Sequence, residues 1–128
     1  MASLANKGYM SNAGFVVTDD GVVVFDALGT PALGRAMIAA IRKVTPAPIR
    51  RVIVSHYHAD HIYGLQALKS PGTGDLGARQ SQGLFHLRRR RSAARAARVD
   101  LAPWSTRPRA LAPPDVWLDG DTDFRLAA

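Results

Sequence analysis

The sequence predicts an α/β fold, and three observations point to this class. Two β-branched runs lie at residues 13–18 and 21–26, an amphipathic stretch follows at 30–44, and another apolar run follows at 50–55. Strands that alternate with helical segments are typical of an α/β protein. The chain of 128 residues has room for at most one domain, and its 47% hydrophobic content is that of a globular protein.

The first two strands are predicted to form a β-hairpin. Residues 13–18 and 21–26 are joined by Asp19-Asp20, and Gly21 can adopt the positive φ that such a turn requires. The nearly continuous apolar character of the second strand predicts that both of its faces are covered. Asp26 closes this strand, and a lone aspartate in such a place is usually a turn former.

A helix is predicted to begin after Thr30, which can cap it, with Pro31 at the first helical position. The prolines of residues 45–48 end this helix, because proline cannot continue the hydrogen-bond ladder. A buried-type strand from Arg50 to Ser55 and a second helix over residues 62–69 complete the pattern. Apolar residues at helical spacing predict the buried face of the first helix: Leu33, Met37, Ala40, Ile41 and Val44.

Most of the net charge of +7 comes from one segment. Residues 72–110 contain nine arginines and two aspartates and carry +7 by themselves, whereas residues 1–71 carry +3 and residues 111–128 carry −3. A solvated charge run is the common explanation of such a tract. The alternative is a module that binds nucleic acid or an anionic surface; its arginines would be Arg88–Arg91, Arg95, Arg98, Arg107 and Arg109. Aromatic residues that could stack on bases are sparse, which argues against a nucleic-acid partner.

The composition changes after residue 71. Residues 72–98 are rich in glycine and arginine without an apolar period, which predicts a disordered tract, and residues 99–128 are expected to continue the domain of residues 1–71. One hypothesis for the tract is a translated frameshift after about residue 71. If residues 72–91 are written in GC-rich codons, the reading frame shifted by one nucleotide can encode a strand-like segment followed by a helix-like segment. Resequencing the gene tests this hypothesis, because an uninterrupted frame that encodes the arginine tract contradicts it.

Potential metal ligands follow the third strand. His56 and His58 are two residues apart, so that their side chains point to the same side, and Asp60 and His61 come at the turn into the next helix. Imidazole nitrogen and carboxylate oxygen suit Zn²⁺ and, less exclusively, Fe or Mn. Four adjacent side chains do not easily reach one ion, so a natural division is His56 and His58 on one metal and Asp60 and His61 on a second. A surface histidine run is the alternative, but the cluster lies at the carboxyl end of a buried strand, where α/β proteins place their sites.

The segment His56-Tyr57-His58-Ala59-Asp60-His61 resembles the H-x-H-x-D-H signature of the metallo-β-lactamase superfamily. The hairpin, the strand that ends in Asp26 and the first helix also occur in that family's order, so the likeness covers about residues 8–70. The resemblance implies an αββα sandwich with one or two metal ions at its edge. This chain would hold the N-terminal half of that sandwich and be incomplete at the C-terminus.

The same resemblance implies roles for the motif residues. His56 and His58 would bind the first zinc ion, and Asp60 and His61 the second, with Asp60 also the catalytic residue that orients or deprotonates the attacking water. Asp26 would hold a ligand histidine in place. The implied activity is metal-dependent hydrolysis of a small-molecule ester, thioester, amide or related bond, by a water molecule that the metal acidifies.

The chain departs from the family pattern after the signature. Ile62-Tyr63 replace the family's glycine pair, and only Gly64 is retained. The family's sites also take a further histidine, a bridging aspartate and a last histidine from later segments. His86 is the only later histidine here, and it does not lie in a recognisable family motif. A non-functional gene fragment is therefore a third interpretation, next to a hydrolase and a basic binding module.

Composition also bears on the compartment. The chain has no cysteine, which excludes disulfides and thiolate ligands. The sequence contains no run of about 18 apolar residues, the length that would predict a membrane span. Its first residues lack the apolar core of a secretory signal. A cytoplasmic location is the default expectation, with export of a full-length relative left open, and the sequence does not indicate an oligomeric state.

Overall fold

The computed structural model describes residues 11–70, 72–79, 82–83, 86 and 112–121. Within them, five strands form one sheet in the order β1-β2-β3-β4-β5. The first pair is antiparallel and the later pairs are parallel. The predicted α/β class is confirmed. The elements in chain order are β1 Gly14–Thr18, β2 Gly21–Phe25, α1 Pro31–Val44, β3 Ile49–Val54, α2 Ala59–Ile62, α3 Leu65–Leu68, β4 Gly74–Ala78 and β5 Val116–Leu118.

The predicted hairpin of β1 and β2 is confirmed. Gly21 has a φ of 137°, and a Cβ atom there would lie 2.7 Å from the carbonyl oxygen of Pro48, so the turn requires glycine. The hydroxyl of Thr18 donates to the Gly21 carbonyl oxygen over 2.8 Å. Val22 to Val24 are buried, as the apolar run predicted.

Helix α1 has the predicted ends but not the whole predicted face. The Leu33 amide donates to Thr30 Oγ1 over 3.1 Å, and Pro31 stands in the first turn, so the predicted start is confirmed. Ile41 is fully buried, whereas Val44 of the predicted stripe is 66% exposed. The buried face is displaced because α1 approaches the start of α3 through Gly34, where a Cβ would lie 2.5 Å from the carbonyl oxygen of Gly64.

The core lies between one face of the sheet and the helices. Side chains alternate between the faces of a strand, so Val22 and Val24 of β2 and Val52 and Val54 of β3 share the face that the helices cover. Ile41, Ile62, Leu65 and Leu68 complete this core from the helices. Burying each such side chain contributes roughly 1.5–3 kcal/mol, and the packing holds the carboxyl ends of β2 and β3 in place. Three side chains of the other face are 44–51% exposed: Val16, Phe25 and Val116. No described helix has the length and apolar character needed to cross a membrane.

The single helix predicted over residues 62–69 is wrong, because the structure has two short helices there. α2 begins earlier, at Ala59, and includes Asp60 and His61, while α3 begins at Leu65. The break at Gly64 has a tertiary cause. The Gly64 amide donates to the Leu28 carbonyl oxygen over 2.9 Å, and a Cβ at Gly64 would clash with the carbonyl oxygen of Ala27. The chain turns where it meets the loop after β2.

Part of the tract predicted to be disordered, residues 72–98, is a strand. Gly74–Ala78 forms β4 and pairs with β3 in parallel, with Val52 opposite Asp75. Gly77 allows close packing in this strand, because a Cβ there would lie 2.7 Å from a ring carbon of Pro114. β5 extends the same sheet beyond β4. Residues 87–111 lie outside the described part of the chain. The predicted segment boundaries at residues 71 and 98 therefore stay predictions, and so does the frameshift hypothesis.

A buried carboxylate, Asp75, lies on the helix-covered face of β4. Asp75 is fully buried, and Lys69 Nζ lies 3.0 Å from its Oδ2 and 2.8 Å from Asp115 Oδ1. Neither oxygen of Asp75 has a well-oriented hydrogen bond among the described residues, so the charge of Lys69 is its main compensation. Burial raises the pKa of Asp75 against the opposing effect of Lys69. Burial alone would lower the pKa of Lys69, but its hydrogen bond to Asp115 and its ion pair with Asp75 raise it overall.

We expect the free energy of unfolding to fall at alkaline pH as Lys69 loses its proton. The pKa of Lys69 in the folded chain lies above its ordinary value of 10.5. The contribution of Lys69 to stability is therefore fully present below pH 10.5 and is lost as the pH rises through the raised pKa. Deprotonation would leave Asp75 and Asp115 together without their cation. Urea unfolding at a series of alkaline pH values measures the effect, and an equally steep loss in a Lys69→Met variant would contradict it.

Candidate metal-binding site

Two neighbouring parallel strands end at the same edge of the sheet and bring the predicted site residues there. Phe25, the last residue of β2, is in register with Ile53 of β3. The Asp26 amide donates to the Ile53 carbonyl oxygen over 2.8 Å. Asp26 after β2 and Ser55 after β3 therefore leave the sheet side by side. This is the edge at which the sequence placed the histidine cluster.

Asp26 is the centre of a hydrogen-bond network at this edge. It is 9% exposed and has a φ of 61°, in the left-handed region that Asp and Asn tolerate better than most residues. Its Oδ1 accepts from the Ser55 amide and from Ser55 Oγ, each over 2.8 Å. Its Oδ2 lies 2.7 Å from His61 Nδ1. The side chain of a turn-forming aspartate bonds to the backbone about two residues further on, whereas these partners are 29 and 35 positions away, so the contacts go beyond that interpretation.

The three histidines of the motif lie close to one another and to Asp60. His56 Nε2 is 3.0 Å from His58 Nδ1, and the ring centres of His56 and His61 are 4.1 Å apart. Asp60 Oδ2 is 3.4 Å from His61 Nε2. The hydroxyl of Ser11 donates to the backbone carbonyl of Asp60, which ties the segment before β1 to α2. All four predicted ligand residues are thus within one small volume.

The surroundings of His56 favour its neutral form. Burial lowers its pKa below the ordinary 6.5, and the positive charges that His61 and His58 would carry lower it further. Asp26 and Asp60 oppose this shift without reversing it. A neutral imidazole is the form that binds a metal ion.

The donor atoms of the cluster form two pairs, and the separation within each pair is close to that of two ligands on one zinc ion. Two nitrogens on one tetrahedral zinc, each about 2.0–2.1 Å from the ion, are about 3.3 Å apart. The His56–His58 nitrogen pair and the pair of His61 Nε2 and Asp60 Oδ2 have separations of 3.0 and 3.4 Å. No three His, Asp or Glu side chains in the described residues converge on one point. Among the described residues, any one ion would therefore find at most two ligands, whereas a zinc site usually has three or four.

Ser55 and Ser11 are contacts of this site that the sequence did not predict. The only signal for Ser55 was its place directly before His56 at the end of a strand.

His86 lies beside Trp117, with 6.0 Å between ring centres, and stays unassigned. The arginine tract, Arg88–Arg91 with Arg95, Arg98, Arg107 and Arg109, lies outside the described residues. Its proposed binding to nucleic acid or an anionic surface stays a prediction.

Solved structures of known proteins share this arrangement of strands and helices. The FIM-1 metallo-β-lactamase of Pseudomonas aeruginosa, solved in a mono-zinc form, superposes with a TM-score of 0.62 at 20% identity, over 88% of this chain and 40% of that one. The stereoselective inverting sec-alkylsulfatase Pisa1 of a Pseudomonas species superposes with a TM-score of 0.55 at 23% identity, over 66% of this chain and 14% of that one. At these identities the likeness establishes the fold.

Sequence comparison identifies the family. A linear primary-alkylsulfatase of Pseudomonas sp. (strain ATCC 19151) is 31% identical over 51 residues, which are 40% of this chain. The chain spans about a tenth of the length of that curated relative. The family model of the metallo-beta-lactamase superfamily matches residues 6–127. Because this match extends over nearly the whole sequence, the chain belongs to the metallo-β-lactamase superfamily and carries part of its fold.

Proposed function

We propose that this protein is a metal-dependent hydrolase that acts on a small molecule with an ester, thioester, amide or related bond. The observation that carries the proposal is the gathering of His56, His58, Asp60 and His61 where β2 and β3 end, with the Asp26 carboxylate held against His61. Membership of the metallo-β-lactamase superfamily supports the reaction type.

The residues divide into two ligand pairs and one supporting carboxylate. His56 and His58 would hold one ion and Asp60 and His61 a second, with Zn²⁺ the best match and Fe or Mn compatible with the same donors. A metal ion supplies acidification of water and stabilisation of negative charge that develops on oxygen. Asp60 is partly exposed and would orient the attacking water or accept its proton. Asp26 accepts from Nδ1 of His61 and so leaves Nε2 for the ion.

A sulfate ester of an alkyl alcohol is the first substrate class to test. The relative that is 31% identical is a primary-alkylsulfatase, and a structurally similar protein is a sec-alkylsulfatase. β-Lactams form the second class, because metallo-β-lactamases are also among the similar structures. Water attacks an electrophilic centre in both classes: the sulfur or the alkyl carbon of a sulfate ester, with cleavage of its S–O or C–O bond, and the carbonyl carbon of a β-lactam, with cleavage of its C–N bond.

Metal analysis of the purified full chain tests the proposal. We expect at least one zinc ion per chain after reconstitution, and hydrolysis of a primary alkyl sulfate or a chromogenic β-lactam that a chelator abolishes. Zinc content should fall in a His58→Ala variant and stay unchanged in the matched His86→Ala variant. Zinc at trace level after reconstitution would rule out the proposed site.

We predict that Asp26→Asn lowers zinc affinity by about 10–100-fold, the usual effect of removing a carboxylate that holds a ligand histidine. Asparagine tolerates the φ of 61°, so the backbone should persist. One amide oxygen cannot replace both carboxylate oxygens that face Ser55 and His61. Competition with a chromophoric chelator measures the affinity. Asp20→Asn, a change in the exposed hairpin turn, serves as the control, and equal affinities in the two variants would contradict the role of Asp26.

A further inference from the structure

Ser55 lies between the Asp26 carboxylate and the first histidine of the motif. Its Oγ is 2.8 and 2.9 Å from the two oxygens of Asp26 and 3.0 Å from His56 Nδ1. Its backbone amide donates to the same carboxylate over 2.8 Å. One serine therefore connects the residue that ends β2 to the imidazole that follows β3.

The direction of these hydrogen bonds follows from the number of protons. A serine hydroxyl has one proton, and a carboxylate can only accept. The hydroxyl proton of Ser55 is therefore directed at Asp26. Ser55 Oγ then has only a lone pair to offer to His56. Nδ1 of His56 must therefore carry a proton and donate it to Ser55 Oγ. Nε2 of His56 is left with its lone pair free to accept.

The same reasoning applies to the other two imidazoles. His61 Nδ1 faces the Asp26 carboxylate at 2.7 Å and must donate to it, which leaves Nε2 of His61 unprotonated in the neutral ring. His56 Nε2 accepts the Nδ1 proton of His58 over 3.0 Å in the metal-free chain. The position of every proton in the cluster thus depends on one carboxylate.

We propose that Ser55 is a positioning residue that fixes His56 in the Nδ1-protonated tautomer and so directs Nε2 into the metal-binding cluster. The inference rests on the proposed metal-dependent function for its purpose, but the tautomer is a property of the metal-free chain. Asp26 orients His61 directly and His56 through the Ser55 hydroxyl. Neutral histidine free in water prefers the Nε2-protonated form. The Nδ1-protonated tautomer of His56 therefore needs the Ser55 hydroxyl as its acceptor.

Long-range ¹H–¹⁵N correlation spectra of the metal-free full chain, labelled with ¹⁵N-histidine, report the tautomer of each ring. The spectra are recorded above the ordinary histidine pKa of about 6.5, and single His→Gln variants assign the four histidines. We expect Nδ1-protonated His56 and His61 in the wild-type chain. In Ser55→Ala, His56 should change to the Nε2-protonated form while His61 keeps its pattern, and Ser55→Thr should restore His56.

A second pair of variants separates the hydroxyl from the shape of the side chain. Threonine and valine are isosteric, so Ser55→Thr and Ser55→Val differ only in the hydroxyl, and both suit the end of a strand. Zinc affinity should fall about 10-fold in Ser55→Val and stay near the wild-type value in Ser55→Thr.

The outcomes distinguish the inference from the proposed function. Nε2-protonated His56 in the wild-type chain, or an unchanged His56 tautomer in both Ser55→Ala and Ser55→Val, would overturn the role of Ser55. The expected tautomer change in a chain that binds no zinc would support the role of Ser55 in placing the imidazole and refute the metal-dependent function.

Discussion

Replacing Lys69 with methionine should lower the free energy of unfolding by on the order of 3 kcal/mol. Removing one partner of a buried ion pair typically costs about 3–5 kcal/mol, because the remaining charge is left without compensation. Asp75 is fully buried, but Lys69 is about a third exposed, so the lower end of that range applies. Methionine keeps most of the length and apolar stem of lysine, so the change removes chiefly the charge. Urea unfolding of the two chains at neutral pH measures the difference.

Two variants show whether the effect comes from the pairing with Asp75. Lys43→Met, at an exposed position in the last turn of α1, should change stability by less than about 0.5 kcal/mol. In an Asp75→Val background the carboxylate is absent, and Lys69→Met should then cost much less. An equal cost of Lys69→Met in both backgrounds would show that Asp75 is not the group that depends on Lys69.

Alanine at position 64 should destabilise the fold by about 3 kcal/mol, the upper part of the range for overpacking. The φ of Gly64 is −72°, so the cause is not backbone strain. A Cβ atom there would clash with the carbonyl oxygen of Ala27 and lie 3.1 Å from that of Thr30. Both obstacles are backbone atoms, which cannot turn aside as a flexible side chain would. The loop after β2 and the start of α3 would have to separate.

Gly14→Ala is the matched control for this substitution. A Cβ at Gly14 of β1 meets no heavy atom within 4 Å, so alanine there should be neutral or slightly stabilising. Urea unfolding compares the two variants. If Gly64→Ala were as stable as Gly14→Ala, the close approach of α3 to the loop after β2 would be wrong.

The sequence predicted the elements that have local causes. The hairpin follows from Gly21 and the β-branched runs beside it, and the start of α1 follows from the Thr30-Pro31 pair. The histidine cluster was found because its residues are close in the sequence and directly follow a strand. These signals do not depend on distant parts of the chain.

The features that the sequence did not predict depend on distant contacts. β4 has the sequence Gly-Asp-Leu-Gly-Ala, which has low strand propensity, and it becomes a strand because β3 and β5 offer hydrogen bonds on both sides. The break between α2 and α3 comes from Ala27 and Leu28, more than thirty residues earlier in the chain. The contact of Ser55 with Asp26 spans 29 positions. Local propensity has no information on such contacts.

Two backbone hydrogen bonds join the loop after β2 to the segment that carries Asp60 and His61. The Ala27 amide donates to the His61 carbonyl oxygen over 2.8 Å, and the Gly64 amide donates to the Leu28 carbonyl oxygen over 2.9 Å. Because each segment holds the other, we expect the two to open together, and the amide protons of Ala27 and Gly64 should show the same free energy of opening in hydrogen–deuterium exchange. The two halves of the site would then melt as one cooperative unit, so any fluctuation that displaces Asp26 also displaces His61.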